Sequence, residues 1–213
     1  NRGLFQILRI IGNMSDAERC AAVSHQETVD IPALFAEFFE KAETLISHTG
    51  ITLTYEGPDQ PIYGLADREQ LERAVLNILS NAIKFTPKGG TVTAKLTRSG
   101  RMLRLSVTDS GSGIAQSVRS SVFSRYLRQP ALEDSRYGIG LGMVLIRTAA
   151  AHHGGAVLID QPEGVGTRIT MTMSIRQSKQ ATLRSNVLRV DYAGERDHGL
   201  IELSECLPTE LYE

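Results

Sequence analysis

The sequence has no tryptophan, only two cysteines and no long hydrophobic run. Cys20 and Cys206 are far apart and match no metal-binding or redox spacing, so a reduced compartment is expected. Every apolar run is shorter than the roughly 20 residues that a membrane-spanning helix needs, and no secretory signal opens the chain. A formal net charge of -1 gives no electrostatic basis for binding nucleic acid or an anionic membrane. The composition, 41% hydrophobic and 22% charged, is that of an ordinary soluble globular protein.

Three segments are expected along the chain, with boundaries at residues 1–26, 27–175 and 176–213. The chain begins at Asn1 without a methionine. Apolar residues at helical spacing predict an amphipathic helix over about the first 20 residues. Residues 176–185 are polar and resemble a linker, and residues 186–192 and 200–204 are predicted to form a strand pair.

The middle segment is predicted to be an α/β sandwich with helices packed on one face of a mixed sheet. Asp30 is a candidate N-cap for a helix that stops at Gly50, and Asp67 with Gln70 forms a capping-box pattern for a second helix. A third helix is predicted at residues 141–151. Strands are predicted at residues 27–30, 51–55, near Ile62, and at 91–98, 102–108, 156–160 and 167–175.

A polar stripe lies along one face of the second predicted helix, because Asn77, Asn81 and Lys84 are spaced i, i+4 and i+7. Amide oxygens can ligate Mg²⁺ and an ammonium group can pair with phosphate, although a solvated helix face explains the stripe equally well. Asp109 follows a strand and precedes Gly111 and Gly113, where a carboxylate can accept a hydrogen bond from an exocyclic amine of a flat ligand. An ordinary Asp-Ser-Gly turn is the alternative.

Two further glycine motifs are present. Gly138, Gly140 and Gly142 precede a helix whose N–H groups could receive phosphate, or they form only a flexible helix entry. The spacing is not that of a dinucleotide-binding fold, and no P-loop lysine pattern is present. Gly164, Gly166 and Thr167 stand between two strands and alone indicate a hairpin.

The ordered set of motifs resembles the ATP-binding domain of sensor histidine kinases, of the Bergerat-fold (GHKL) superfamily. Residues 77–87 resemble the N box, 109–114 the first glycine box, 122–126 the phenylalanine box, 138–143 the second glycine box and 164–167 the third. The resemblance covers about residues 27–175. It implies the Bergerat-type two-layer sandwich, with ATP and Mg²⁺ as cofactors.

The resemblance also implies roles for individual residues. Asn81 would ligate Mg²⁺ with Asn77 beside it, Lys84 would hold phosphate, Phe85 would lie against adenine, and Asp109 would accept from the adenine amino group. Thr167 would support Asp109, directly or through water, and Gly140 and Gly142 would hinge a lid over roughly residues 117–139. The remaining nucleotide-binding positions that the motifs supply are Gly111, Gly113, Ile114, Tyr126, Gly138 and Leu141.

The sequence departs from the family pattern in the phenylalanine box, where Ser124 replaces an acidic residue and Leu127 an aromatic one. In hydrolytic relatives a glutamate base precedes the magnesium asparagine by four residues, and here that position is Asn77, which cannot take a proton. A histidine kinase is therefore the leading interpretation. A non-catalytic nucleotide-binding module and an anti-sigma type serine kinase are the alternatives.

The acceptor histidine is expected on a helix missing from this chain, with residues 1–20 as the end of its companion helix. His25 has an acidic neighbour but lies next to the first strand, so a linker histidine is preferred; His152 and His153 are interpreted as structural. The resemblance implies a response-regulator receiver domain as partner, homodimerisation through the missing helical hairpin, and a cytoplasmic domain whose parent is anchored in a bacterial inner membrane.

Overall fold

The computed structural model describes residues 25–113, 141–162, 166–176, 198–204 and 206–212. The predicted N-terminal helix, the phenylalanine box with Tyr126, the strand at residues 186–192, and Ile114, Gly138, Gly140 and Gly164 lie outside the described residues. Of Leu141 only the backbone is described.

The main sheet has five strands in the order β2-β4-β5-β7-β6. Its members are β2 (Thr52–Glu56), β4 (Thr91–Ser99), β5 (Met102–Asp109), β6 (Val157–Asp160) and β7 (Arg168–Ser174). Strand β2 pairs with β4 in parallel and the other pairs are antiparallel, so the sheet is mixed as predicted. A separate two-stranded sheet joins β1 (Glu27–Asp30) to β3 (Tyr63–Ala66).

Helices cover one face of this sheet. They are α1 (Ile31–Ile46), α2 (Arg68–Phe85) and α3 (Leu141–His152), and a short fourth helix, α4 (His198–Glu202), lies near the C-terminus. Short 3₁₀ turns follow at Ser47–Thr49 and Thr209–Tyr212. Within the part of the chain that the structure describes, no helix is long and apolar enough to cross a membrane.

Buried and exposed side chains alternate along the central strands, and the buried ones define the face of the sheet that points into the core. Leu103, Leu105 and Val107 of β5 point into the core with Val92 of β4, whereas Arg104 points outward. The buried face of α1 meets these residues with the apolar set Ile31, Leu34, Phe35, Phe38, Phe39, Ala42 and Ile46. Because side chains alternate with period two, Asp109 at the end of β5 also faces the helix layer.

Both predicted N-cap residues stand at the start of a helix, but only Asp67 makes the expected side-chain hydrogen bond. The Asp67 carboxylate accepts from the backbone N–H of Gln70 at 3.1 Å, as expected for an N-cap. The Gln70 side chain does not complete the box, because its Oε1 lies 2.9 Å from Nδ1 of His152. Asp30 precedes α1 but its side chain accepts from Ile62 N–H at 3.1 Å instead of capping the helix.

The predicted C-terminal strand pair is wrong at residues 200–204, because this region contains the end of α4 and a turn. Leu203 and Leu207 are buried in the core, and α4 packs on α1 and α2. Leu203 and Leu207 are spaced i, i+4, which suits a helical segment with one apolar side better than a strand. We call residues 198–204 with 206–212 the C-terminal segment.

His153 is a buried structural histidine, as the sequence analysis expected. Its Nε2 accepts from the backbone N–H of Asp67 at 3.0 Å, and its Nδ1 lies 2.6 Å from the carbonyl oxygen of Ala149. This pair of contacts requires the neutral ring with the proton on Nδ1. Burial lowers the pKa of His153 below its ordinary value of 6.5.

Acidification should therefore destabilise the protein through His153. As the pH falls through 6.5 the unfolded chain takes up a proton before the folded chain does, so stability is complete above this pH and decreases below it. The contribution is at most about 1.4 kcal/mol per pH unit. Urea unfolding at pH 7.5 and 5.5 should show a smaller pH effect in His153→Gln than in the wild type. The exposed His48→Gln control should behave as the wild type; equal pH effects in all three would contradict the assignment.

Candidate functional site

The Asp109 carboxylate is held at the end of β5 by two backbone donors. Its Oδ1 accepts from Gly111 N–H at 2.9 Å and from Thr167 N–H at 3.2 Å. No hydrogen bond within the described residues ends on Oδ2, which leaves this oxygen for a ligand. Burial raises the pKa of Asp109, and the two N–H groups counter that rise by stabilising the carboxylate.

Thr167 contacts Asp109 through its backbone N–H and carbonyl groups. Its carbonyl oxygen accepts from Asp109 N–H at 2.9 Å, and its own N–H reaches the carboxylate. Thr167, directly before β7, therefore closes a small ring of hydrogen bonds with the aspartate. These direct contacts are made by the Thr167 backbone.

The backbone after Asp109 passes very close to the end of helix α2. A Cβ atom on Gly111 would overlap the carbonyl oxygen of Phe85, so only glycine fits there. Gly113 follows with a φ of 70°. A cleft of about 500 Å³ opens at this point. Its lining consists of Lys84, Phe85, Thr86, Pro87, Ser110, Gly111 and Ser112.

Phe85 offers an apolar surface beside this cleft. Among the described residues it is one of the large hydrophobic side chains that are exposed, at 43%. The Lys84 ammonium lies 5.9 Å from the centre of the Phe85 ring. A flat ring and a cation next to a buried carboxylate suit a ligand with an aromatic base and an anionic group. A larger hollow lies on the polar outer face of the sheet and reaches Asp109 and Ser110 at one end.

The polar stripe of α2 is buried at its N-terminal end and exposed at its C-terminal end. Asn77 is 1% exposed and Asn81 is half-buried, whereas Lys84 is exposed. Asn77 Nδ2 donates to the carbonyl oxygen of Arg73 at 2.9 Å and to Glu202 Oε2 at 3.2 Å. The stripe is thus covered at its N-terminal end by the C-terminal segment.

The Asn77 oxygen is left without a hydrogen-bond donor. Oδ1 is buried and unpaired in the described structure, and a Cβ atom on Gly142 would lie 2.5 Å from it. Residue 142 must therefore be glycine for the amide to keep this position. A buried acceptor without a donor costs about 1–3 kcal/mol, which a bound cation or donor would remove.

Glu202 is the residue of this site that sequence reasoning missed. Its Oε1 accepts from Nε and Nη2 of Arg73 at 3.3 Å, and its Oε2 accepts from Asn77. Glu202 is 2% exposed, so this is a buried carboxylate beside the predicted site residue Asn77. No motif signals it, because it lies 125 residues from Asn77 in the sequence.

The described side chains fit a magnesium nucleotide. Among the described residues, no group of three or more histidine, cysteine, aspartate or glutamate side chains is placed to hold a metal ion. A cation at this site would depend on amide oxygens and on the phosphates of the nucleotide itself, which is how proteins often hold Mg²⁺. The unpaired Asn77 oxygen and the nearby Asn81 amide supply that chemistry.

Residues 66–177 match the family model of the histidine kinase-, DNA gyrase B- and HSP90-like ATPases. The chain belongs to this family. The match contains Asn77, Asn81, Asp109 and Thr167, the described residues around which the site is built. The family is one of ATPases, which supports nucleotide binding by this domain.

Within this ATPase family the relatives are histidine kinases. An uncharacterised sensor-like histidine kinase of Rhizobium meliloti is 31% identical over 95% of the chain, which spans 41% of that protein. SenX3 of Mycobacterium tuberculosis, a sensor-like histidine kinase, is 27% identical over 83% of the chain and 45% of its own length. The chain thus spans less than half of these relatives, and corresponds to the ATPase catalytic domain of sensor histidine kinases.

Solved structures agree on the fold of this domain. The catalytic domain of histidine kinase ThkA superposes with a TM-score of 0.61 at 22% identity, covering 71% of this chain and 97% of that domain. Full-length ShkA in complex with AMPPNP gives a TM-score of 0.67 at 25% identity, over 82% of this chain and 37% of ShkA. The predicted Bergerat-type sandwich is confirmed.

Proposed function

We propose that this domain binds ATP·Mg²⁺ and transfers the γ-phosphoryl group to a histidine on a helix outside this chain. A receiver-domain aspartate of a response regulator then takes the phosphoryl group. The observation that carries the proposal is the Asp109 carboxylate, held by two N–H groups with one oxygen left for an adenine amino group. ShkA, a relative of known structure, is in complex with the ATP analogue AMPPNP.

The residues of this chain act by positioning and by electrostatics. Asp109 and Phe85 orient the base, Lys84 pairs with phosphate, and the amides of Asn77 and Asn81 hold the cation. An Mg²⁺ ion held there would supply positive charge that offsets the charge of the phosphates. The γ-phosphoryl group would then pass from the leaving ADP oxygen to the histidine nitrogen. Removal of the proton from the attacking histidine is assigned to a base outside this chain.

His25 is poorly placed to accept the γ-phosphoryl group of an ATP molecule bound to the same chain. Its backbone N–H donates to the Asp67 carboxylate at 3.0 Å, which fixes it at the N-terminal end of α2. Asn77 lies ten residues further along this helix, about 15 Å away at the rise of an α-helix. The acceptor is therefore assigned to a separate helical hairpin, through which the whole protein would form a homodimer in a membrane-anchored parent.

The purified protein is expected to bind ATP without hydrolysing it and without labelling itself. Asn77 stands where hydrolytic relatives place a glutamate, and the carboxylate beside it, that of Glu202, is engaged by Arg73. Incubation with γ-labelled ATP should give neither phosphate release above background nor an acid-labile, base-stable label on the protein.

Two results would contradict this expectation in different ways. A phosphohistidine label that disappears in His25→Gln would make His25 the acceptor and overturn the placement of residues 1–26. Steady phosphate release that is unchanged in Asn77→Ala would indicate a hydrolytic ATPase that uses another base. A Glu202→Gln variant that lost such hydrolysis would identify Glu202 as this base.

A further inference from the structure

Helix α4 brings a buried carboxylate to the asparagine at the start of the N box. Leu203 and Leu207 anchor the C-terminal segment in the core, directly after Glu202. Cys206 continues the contact one turn further along α2, where its Sγ lies 3.3 Å from the carbonyl oxygen of Ser80. The C-terminal segment therefore packs with α2 as one unit, and the contacts that follow Glu202 hold it in place.

The carboxylate leaves the Asn77 amide only one orientation. An ionised carboxylate accepts hydrogen bonds and cannot donate them, so Nδ2 must face Glu202. Both hydrogens of Nδ2 are used, on Glu202 and on the Arg73 carbonyl. Oδ1 consequently faces Gly142, at the start of α3, where the glycine motif indicates the phosphates.

The orientation of this amide decides what it can bind. An amide that turns its N–H groups to the phosphates would donate hydrogen bonds to them, whereas an oxygen facing them repels anions and ligates cations. We propose that Glu202 is a positioning residue that fixes Asn77 with its oxygen towards the nucleotide, and so makes ATP binding depend on Mg²⁺. This inference rests on the proposed function.

Glu202→Gln provides the sharpest test, because glutamine keeps the shape but can donate as well as accept. The Arg73 carbonyl then remains to hold Nδ2 in place, and the Asn77 amide can turn over and present its N–H groups to phosphate at the cost of that one hydrogen bond. We expect the gain in ATP affinity on adding Mg²⁺ to fall by about tenfold, in line with the loss of a hydrogen bond to a charged group. Affinity for ATP in EDTA should stay equal or increase.

Titration calorimetry with ATP in EDTA and in Mg²⁺ measures both quantities. Glu210→Gln is the matched control, since it removes the same charge from an exposed position of the same segment; it should behave as the wild type. Equal losses of affinity in EDTA and in Mg²⁺ for Glu202→Gln would show a merely structural role and overturn the inference. An unchanged Mg²⁺ effect would overturn it as well.

A second measurement covers the case in which Glu202→Gln folds poorly. In the wild-type protein the Asn77 side-chain N–H₂ resonances, assigned through Asn77→Asp, should be protected from exchange both with and without Mg²⁺. Rapid exchange of these protons would overturn the inference alone. Failure of the wild type to bind ATP at all would overturn the proposed function and this inference with it.

Discussion

Replacing Asp109 by alanine is expected to abolish measurable ATP binding, and replacing it by asparagine to abolish or reverse the preference for adenine over guanine. The carboxylate should accept from the adenine amino group, whereas the guanine carbonyl would place two acceptors face to face. An unpaired buried charge of this kind costs on the order of 2–4 kcal/mol, which corresponds to a preference of about thirtyfold or more. Competition between ATP and GTP in a binding assay measures this preference.

Asp109→Asn is informative because it retains the oxygen that accepts from Gly111 and Thr167. The new amide can donate to a guanine carbonyl, so GTP should bind as well as ATP or better. Asp59→Asn, at an exposed loop position, should leave the preference unchanged. Equal affinity of the wild type for ATP and GTP would mean that Asp109 is only a turn residue.

Asn81→Ala is expected to lose most of the Mg²⁺-dependent part of ATP affinity. The half-buried amide lies one turn from Asn77 on α2, and its oxygen is the proposed magnesium ligand. Calorimetric titration of ATP with and without Mg²⁺ measures the loss directly. Affinity in EDTA should change little, because the base contacts at Asp109 are separate from this amide.

Asn81→Asp serves as the comparison, since it keeps an oxygen at the same place and adds a charge that attracts a cation. It should preserve the Mg²⁺ effect that the alanine variant loses. If Asn81→Ala kept the full metal dependence, the assignment of this residue as a magnesium ligand would be wrong.

Local patterns predicted the sandwich and most of its elements. Helix α2 could be located because Asp67 marks its beginning, Pro87 follows its end, and apolar residues recur on one side between them. Asp109 could be selected because glycines follow a strand whose inward side chains alternate. These signals operate within a few residues of each other, and a sequence reveals them without any knowledge of tertiary contacts.

Contacts between distant residues could not be predicted in this way. From the sequence alone, the polar stripe that contains Asn77 could have been exposed to solvent. Only the packing of α4 shows that Glu202 covers Asn77. The strand predicted at residues 200–204 failed for a related reason. A few apolar residues in a short segment fit the period of a helix as well as that of a strand. Here the segment is a helix that packs against α1 and α2.

Phosphotransfer to a histidine tests the central claim most directly. The protein is incubated with γ-labelled ATP and Mg²⁺ together with a separately purified helical hairpin that carries the acceptor histidine of a related sensor kinase. Acid-labile, base-stable label should appear on the hairpin, disappear when its histidine is replaced, and be absent with Asp109→Ala. ATP binding without any label on the hairpin would instead support a non-catalytic nucleotide-binding module, and label on serine would support a serine kinase; either would contradict a histidine kinase.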